Sequence, residues 1–194
     1  MHHRRLRLMI ATIGAIVAAL TSGVGAGAMA ADAWAKAAEP GHFVVMRHAE
    51  APGTGDPPSL VLGDCSTQRN LDDRGRAQAR RIGAAAAKAG VQFTRVLSSA
   101  WCRCIETAQL MTGRAPEILP SLNSFFGRRE AEADQMARLK QDIAALPVDQ
   151  PALLVTHQVV VTALTGVHPA SGEALVVKRN GDGTLSVAAR IKPP

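Results

Sequence analysis

The chain has 194 residues, of which 47% are hydrophobic and 3% aromatic, and its 22 Lys and Arg against 16 Asp and Glu give a net charge of +6. This length suits one domain with a full core. Beyond its N-terminal segment the sequence has no basic run and no aromatic stacking platform of the kind that nucleic-acid-binding proteins use, so no nucleic-acid partner is expected.

An export signal is predicted over residues 1–30. The cationic stretch MHHRRLR precedes the apolar run LMIATIGAIVAAL, and small residues then end in the cleavage pattern Ala28-Met29-Ala30. The apolar run is shorter than the ~20 residues of a membrane-spanning helix, so no stable membrane insertion is expected after cleavage. Retention of the segment as an N-terminal anchor stays open. We therefore expect a periplasmic or secreted protein.

Strands and helices are predicted to alternate along the rest of the chain, from apolar periodicity and from the residues that begin and end each element. In chain order they are a linker (31–41), a strand (42–46), a long loop (49–70), a helix (72–88), a strand (91–99), a helix (101–111), a loop (121–130), a helix (132–146), a strand (151–156), a helix (159–166) and two short strands around a turn at 180–183. A loop as long as 49–70 commonly covers or shapes a site. This order predicts an α/β fold over residues 42–194, a three-layer α/β/α sandwich with a mostly parallel sheet.

Three cysteines follow the signal segment: Cys65, Cys102 and Cys104. An oxidising compartment permits one disulfide and leaves one thiol over. Cys102 and Cys104 are too close in sequence to bridge each other easily, so a disulfide would join Cys65 to Cys102 or to Cys104. Three buried thiols are the alternative. A zinc site is not expected, because the spacing matches no standard ligand set.

Polar side chains stand at the ends of three predicted strands. The first strand ends in Arg47-His48, the second runs through Ser98-Ser99 to Arg103, and the third ends in Thr156-His157. In a parallel sheet the carboxyl ends of the strands share one edge, where ligands bind. Two arginines and two histidines at that edge would suit a tetrahedral dianion, because guanidinium groups pair with phosphate oxygens.

A neutral histidine among these cations could also react. Its ring nitrogen could attack phosphorus in line and hold the phosphoryl group covalently, while the surrounding positive charges stabilise the oxygens. Such a site needs no metal ion, and no other cofactor is expected, because the arginines and a second imidazole take the electrostatic role.

The same residues resemble the histidine phosphatase superfamily, which has the phosphoglycerate mutase-like fold. Four stretches match its motifs in order, over residues 43 to about 166. They are Met46-Arg47-His48-Ala49-Glu50 for R-H-G/A, the segment 71–79 (LDDRGRAQA) for L-x-x-x-G-x-x-Q-A, the segment 98–108 (SSAWCRCIETA) for S-S-x-x-x-R-x-x-x-T-A, and Val155-Thr156-His157 for S/T-H after a strand.

The resemblance implies a role for each matching residue. His48 would be the phosphoryl-accepting nucleophile, and Arg47, Arg103 and His157 would hold the phosphoryl oxygens, with His157 as the second catalytic imidazole. Gly75 and Gln78 would be structural and pack the helix under the site. The implied activity is metal-independent hydrolysis of phosphomonoesters through a phosphohistidine intermediate.

The stretch GDCSTQRNLD, the export signal and the paired cysteines of WCRC are similar to an exported bacterial branch of the family. That branch includes phosphatases that act on lipopolysaccharide core heptose phosphates. A phosphorylated small molecule or glycan is therefore the expected substrate.

Nothing in the sequence predicts an oligomeric state. Loss of the signal segment would lower the net charge from +6 to +3, because it carries three arginines and no acid.

The proton donor for the leaving oxygen is the least defined part of the predicted site. One branch of the family places an aspartate directly after the second histidine, where this chain has Gln158. Loop position makes five acids candidates, and Glu130 is favoured because it ends the loop 121–130. The five are Glu50, Asp56, Asp64, Glu130 and Glu132. A phosphohistidine or aryl phosphate substrate would not need this proton.

Two other functions stay open from the sequence. The absence of an obvious acid would fit a catalytically weak protein that only binds phosphate esters. A protein phosphohistidine phosphatase is the alternative among enzymes, although the export signal argues against it. Phe125 and Phe126 are expected in the core rather than as a wall that faces the substrate.

Overall fold

The computed structural model of the protein describes residues 26–193. Most of the predicted export signal (1–30) therefore lies outside the described residues. The helices are α1 (Ala26–Ala35), α2 (Asp73–Lys88), α3 (Cys102–Thr112), α4 (Glu132–Ala144) and α5 (Gln158–Thr165). The strands are β1 (His42–Arg47), β2 (Arg95–Ser98), β3 (Glu117–Ile118), β4 (Ala152–Thr156), β5 (Ala174–Arg179) and β6 (Leu185–Ile191).

The six strands form one sheet in the order β3-β2-β4-β1-β5-β6. The first four strands in this order run parallel to one another, because helices connect them in chain order. β5 pairs antiparallel with β1, and β6 pairs antiparallel with β5. The predicted α/β fold with a mostly parallel sheet is confirmed.

Helices cover both faces of the sheet because the central strands are apolar on both sides. In β1, Val44 and Met46 point to the face that α2 and α3 cover, whereas Phe43 and Val45 point to the face that α4 and α5 cover. All four side chains are at most 1% exposed. A strand buried on both faces reads as a continuous apolar run, which is the pattern of HFVVM. The three predicted layers follow from this alternation.

The segment 31–41 corrects the prediction of a linker. Residues up to Ala35 are helical, a 3₁₀ turn follows at Lys36–Ala38, and the Trp34 side chain is 1% exposed within the core. The Trp34 ring meets Phe93 edge-on, with 6.4 Å between ring centroids. An alanine-rich segment favours a helix, and one large aromatic residue gives that helix a surface to bury.

One smaller difference concerns the edge of the sheet. The two-residue strand β3, at the sheet edge, was not predicted, because a pairing this short leaves no periodicity in the sequence. Within the described part of the chain, no helix combines the length and apolar character needed to cross a bilayer.

Candidate active site

The four predicted site residues lie together at the carboxyl edge of the parallel strands. Arg47 ends β1 and His48 follows it, Arg103 lies in the first turn of α3, and His157 follows β4. These four side chains line one cavity of about 100 Å³. The other residues that line it are Gly53, Thr54, Gly55, Asp56, Arg69, Ser124, Phe126, Gln158 and Val159.

The hydrogen bonds of His48 define its tautomer. Nδ1 lies 2.7 Å from the carbonyl oxygen of Ala49, and the Nε–H of Arg103 donates to Nε2 at 3.2 Å. Because a carbonyl only accepts and a guanidinium only donates, the ring carries its hydrogen on Nδ1 and a lone pair on Nε2. Burial, followed by the charge of Arg103, lowers the pKa of His48 to about 3. The ring is therefore neutral at pH 7, and its Nε2 lone pair, which accepts from Arg103 in this structure, can act as a nucleophile once that hydrogen bond opens.

His157 is held in the same way on the other side of Arg103. The Nη2 of Arg103 donates to Nδ1 at 3.3 Å, and Nε2 lies 2.8 Å from the hydroxyl of Ser99. The hydrogen of the ring is therefore on Nε2, which donates to that hydroxyl. Burial, with Arg103 as the next cause, lowers the pKa of His157 well below its usual value. The ring centroids of His48 and His157 are 5.6 Å apart.

Arg103 hydrogen-bonds both imidazoles of the site and the loop 49–70. Its side chain is 3% exposed, and all five of its N–H donors are engaged. Besides the two imidazoles, Nη1 donates to Oδ1 of Asp56 at 2.6 Å and to the carbonyl of Arg69 at 3.2 Å, while Nη2 donates to Oδ2 of Asp56 at 2.9 Å. A guanidinium so restrained is a fixed, directional anion-binding group.

Asp56 is the one acidic side chain among the described residues that line the cavity. It also accepts a hydrogen bond from the indole nitrogen of Trp101 at 3.1 Å. Burial opposes its ionisation, but the hydrogen bonds and charge of Arg103 outweigh burial and hold the pKa of Asp56 below its usual value. The carboxylate is therefore charged and paired with Arg103.

Arg69 is a further cation of the site that the sequence interpretation missed. Its Nε donates to the carbonyl of Gly55 at 2.7 Å, and its side chain lines the cavity beside Arg47. The Nε of Arg47 is buried without a hydrogen-bond partner among the described residues, and its Nη1 donates to the carbonyl of Pro169 at 3.3 Å. The available signal for Arg69 was its place in the stretch QRN directly before the second motif.

Glu130, the favoured proton donor, is not brought to this site. It lies on the 3₁₀ turn Arg129–Ala131, is exposed and does not line the cavity. The cause is a turn in which the amide of Arg128 donates to the carbonyl of Phe125, with Gly127 at a φ of 82°. This turn leads the chain away from the cavity before Glu130.

The two phenylalanines have different environments. Phe125 is 1% exposed and packs in the core, as predicted, whereas Phe126 is 59% exposed and lines the mouth of the cavity. Phe126 is the second residue of the turn from Phe125 to Arg128, and hydrophobicity alone does not tell which of the two side chains points inward. The prediction that both lie in the core is therefore wrong for Phe126.

A disulfide joins the loop 49–70 to the site. Cys65 is bonded to Cys102, the residue before Arg103, which is one of the two predicted pairings. Cys104 is a buried free thiol whose Sγ lies 3.5 Å from Nε2 of His157, and burial raises its pKa to about 12. Within residues 26–193, no group of His, Cys, Asp and Glu is arranged to hold a metal ion.

The second motif supports the backbone that follows His48. The amide of Glu50 donates to Oε1 of Gln78 at 2.9 Å, and Nε2 of Gln78 donates to the carbonyl of Ser171 at 3.1 Å. The amide of Ala49 donates to the hydroxyl of Thr107 at 3.0 Å. These bonds fix the peptide whose carbonyl orients the His48 ring. The structural roles predicted for Gly75 and Gln78 agree with this geometry.

This fold and this arrangement of residues resemble those of histidine phosphatases. Residues 43–132 match the family described as the histidine phosphatase superfamily, branch 1. Residues 43–132 therefore carry the sequence signature of that superfamily, and together with the shared fold this match supports a phosphatase activity. A comparison with curated proteins found no match.

Solved structures of several phosphatases share the fold. The protein histidine phosphatase SixA, complexed with tungstate, is 18% identical, with a TM-score of 0.52 over 78% of this chain and 97% of that chain. The alpha-ribazole phosphatase from Shigella flexneri is 16% identical, with a TM-score of 0.56 over 76% and 95%. A mycobacterial glucosyl-3-phosphoglycerate phosphatase is 17% identical, with a TM-score of 0.57 over 76% and 97%. At these identities the similarity shows the fold.

Proposed function

We propose that the protein is a phosphomonoester hydrolase that acts through a phosphohistidine intermediate at His48 and needs no metal ion. The observation that carries this proposal is the state of the His48 ring, which is buried and neutral and presents the Nε2 lone pair to the cavity beside the Arg103 guanidinium. An imidazole held in this way combines a nucleophile with a fixed positive charge for the phosphoryl oxygens.

The reaction would proceed in two displacements at phosphorus. In the first, Nε2 of His48 attacks, the P–N bond forms, and the bond between phosphorus and the leaving oxygen breaks. In the second, a water molecule attacks the phosphohistidine, the P–N bond breaks, and orthophosphate leaves. Arg47 and Arg103 would hold the oxygens that stay on phosphorus throughout, and Arg69 adds positive charge to the cavity. His157 would join them by donating its Nε2–H to a phosphoryl oxygen in place of the Ser99 hydroxyl.

The size of the cavity fits a phosphoryl group rather than a whole substrate. At about 100 Å³ it leaves the remainder of the substrate at the mouth, between the loop 49–70 and Phe126. We therefore propose a phosphorylated small molecule or a phosphorylated glycan as the substrate, because a ring could lie against the exposed Phe126 side chain.

We also propose that the enzyme works in the bacterial cell envelope, as the exported branch with the heptose phosphatases does. The sequence of residues 1–30 supports export, and the Cys65–Cys102 disulfide suits an oxidising compartment. N-terminal sequencing of protein recovered from the periplasm tests this part. Cleavage after Ala30 would support it, and protein confined to the cytoplasm would contradict it.

The hydrolase proposal is tested by phosphate release from a panel of phosphate esters. The parent protein should release orthophosphate, and His48→Ala should release none while keeping the parent circular dichroism spectrum, because the covalent route is lost. Lys140→Ala is the control, since Lys140 is exposed on α4 outside the cavity and should leave the rate unchanged. Activity of His48→Ala near that of the parent would refute the assignment of His48. A parent that binds phosphate esters without turnover would instead indicate a binding protein.

A protein phosphohistidine phosphatase is the second candidate. SixA proteins are among the similar folds. While Asp56 is paired with Arg103 it is a poor proton donor, and a labile phosphohistidine substrate would not need one. Comparison of rates on a phosphorylated histidine-containing protein and on sugar phosphates separates the two. Faster turnover of the phosphoprotein would favour this candidate over the first.

A further inference from the structure

Asp56 occupies the two Nη donors of Arg103, which a phosphoryl group would need for two-point binding. Its two oxygens accept from Nη1 and Nη2 at 2.6 and 2.9 Å, which is the two-point geometry that guanidinium groups use for phosphate. Because all five donors of Arg103 are engaged, a phosphoryl group can bind to this guanidinium only if one of the present acceptors leaves.

The five acceptors differ in how firmly they are held. His48 is fixed by the carbonyl of Ala49 and His157 by Ser99, and both rings are at most 3% exposed. Nη1 of Arg103 also donates to the backbone carbonyl of Arg69 at 3.2 Å, and this acceptor belongs to the main chain.

Asp56 alone among these acceptors is a side chain carried by the long loop 49–70. It is 17% exposed and follows Gly53 and Gly55, whose φ angles of 89° and 73° lie in the left-handed region. Besides Arg103, the indole N–H of Trp101 at 3.1 Å and the amide of Arg69 at 3.3 Å donate to this carboxylate, and such neutral donors hold it less strongly than a guanidinium does. Asp56 is therefore the acceptor that an incoming anion can replace.

We propose that the phosphoryl group of the substrate displaces Asp56 from Arg103, and that the displaced Asp56 is the catalytic residue that protonates the leaving oxygen. This inference rests on the proposed phosphomonoester hydrolase function. Asp56 thereby takes the role of proton donor in place of Glu130, which lies outside the cavity.

The displacement changes the chemistry of the carboxyl group. While Arg103 donates to it, Asp56 is charged and a poor acid, since Arg103 holds its pKa low. After displacement it no longer has that positive partner and lies beside a phosphoryl dianion, and both changes favour the protonated form. The substrate thus converts Asp56 from a bound anion into an acid, with a proton taken from solvent or from the substrate monoanion.

The proton then balances across both displacements. In the first, protonated Asp56 gives its proton to the leaving oxygen as the P–O bond breaks and the bond between phosphorus and Nε2 of His48 forms. In the second, the Asp56 carboxylate takes a proton from the attacking water as the P–N bond breaks. Before the substrate binds, Arg103 bonds His48 through Nε and Asp56 through its Nη atoms, so the nucleophile and the acid both start beside one guanidinium. The bond from Nε to Nε2 of His48 opens as the P–N bond forms.

The test compares leaving groups in the variant Asp56→Asn, which keeps the size of the side chain and loses the acid. An alkyl phosphate such as glycerol phosphate needs a protonated leaving oxygen, so its kcat should fall by about 10²-fold or more. A 4-nitrophenyl phosphate leaves without a proton, so its kcat should change little. Asp56→Glu should restore part of the alkyl phosphate activity. Equal losses on both substrates, or no loss on the alkyl phosphate, would overturn the proposal.

A binding measurement tests displacement without turnover. Without a competing anion, Asp56→Asn should bind tungstate several-fold more tightly than the parent by calorimetry, and unchanged or weaker binding would overturn displacement. Glu130→Gln should keep the parent rates on both the alkyl phosphate and 4-nitrophenyl phosphate. A loss confined to the alkyl phosphate would show that Glu130 is the proton donor and would overturn the assignment of Asp56. Parent protein without any hydrolysis, but with the predicted tungstate result, would instead contradict the proposed function.

Discussion

Gly75 on α2 lies directly against the backbone carbonyl oxygen of Glu50, two residues after His48. A Cβ built on Gly75 would overlap that oxygen, so the helix can approach the peptide only because glycine has no side chain. Gln78, one turn further along α2, bonds the amide of the same residue. The second motif therefore positions the backbone after the nucleophile rather than contacting the substrate.

Replacement of this glycine should destabilise the protein and disturb the site together. We expect Gly75→Ala to lower the free energy of unfolding by about 1–3 kcal/mol, because α2 or the peptide at Glu50 must move to accept the methyl group. Urea unfolding monitored by circular dichroism measures the change. Gly181→Ala is the matched control, since a Cβ at Gly181 meets nothing within 4 Å. Equal stability of the two variants would contradict the close packing of α2.

The Cys65–Cys102 disulfide should stabilise the fold and hold the loop that carries Asp56. It spans a sequence separation of 37, for which loop closure in the unfolded chain predicts about 4 kcal/mol of stabilisation. Reduction should therefore lower the urea midpoint markedly. Cys104→Ser should show the same loss on reduction, because Cys104 is a free thiol. A midpoint that does not respond to reductant would argue against the bridge.

Acidification should destabilise the protein through its buried imidazoles. The pKa of His48 is lowered to about 3 by burial and by Arg103, and that of His157 is lowered as well. In the unfolded chain a histidine has a pKa of about 6.5. Between these values the unfolded state binds a proton that the folded state excludes, so stability falls as the pH drops from about 6.5 towards 3.

The contribution of His48 can be isolated with His48→Asn. We expect its free energy of unfolding to fall less steeply with decreasing pH than that of the parent, by at most about 1.4 kcal/mol per pH unit. Urea titrations between pH 7 and pH 4 measure both slopes. Identical slopes would show that the pKa of His48 is not lowered by folding.

The sequence predicts the parts of this site that depend on sheet topology. Arg47, His48, Arg103 and His157 each follow an apolar strand, and parallel strands bring their carboxyl ends to one edge, so their convergence could be anticipated. The acid could not be located in this way. Asp56 reaches Arg103 through an irregular loop, whose path depends on tertiary contacts such as its bond from Trp101.

The remaining differences have local causes. The small and polar neighbours of Trp34 predict a linker, although a single buried indole is enough to dock a short helix. Hydrophobicity predicts the core for Phe125 and Phe126 alike, although only Phe125 is buried. In both cases composition describes a segment, whereas burial depends on which side chain faces the sheet.

The most direct test of the central claim is to trap the phosphoryl group on the enzyme. Parent protein mixed with a labile phosphate donor and quenched in alkali should carry one acid-labile phosphoryl group, which mass spectrometry should place on His48. His48→Ala should carry none. A parent protein that hydrolyses the donor without any phosphorylated histidine, or with the phosphoryl group on His157, would contradict the claim.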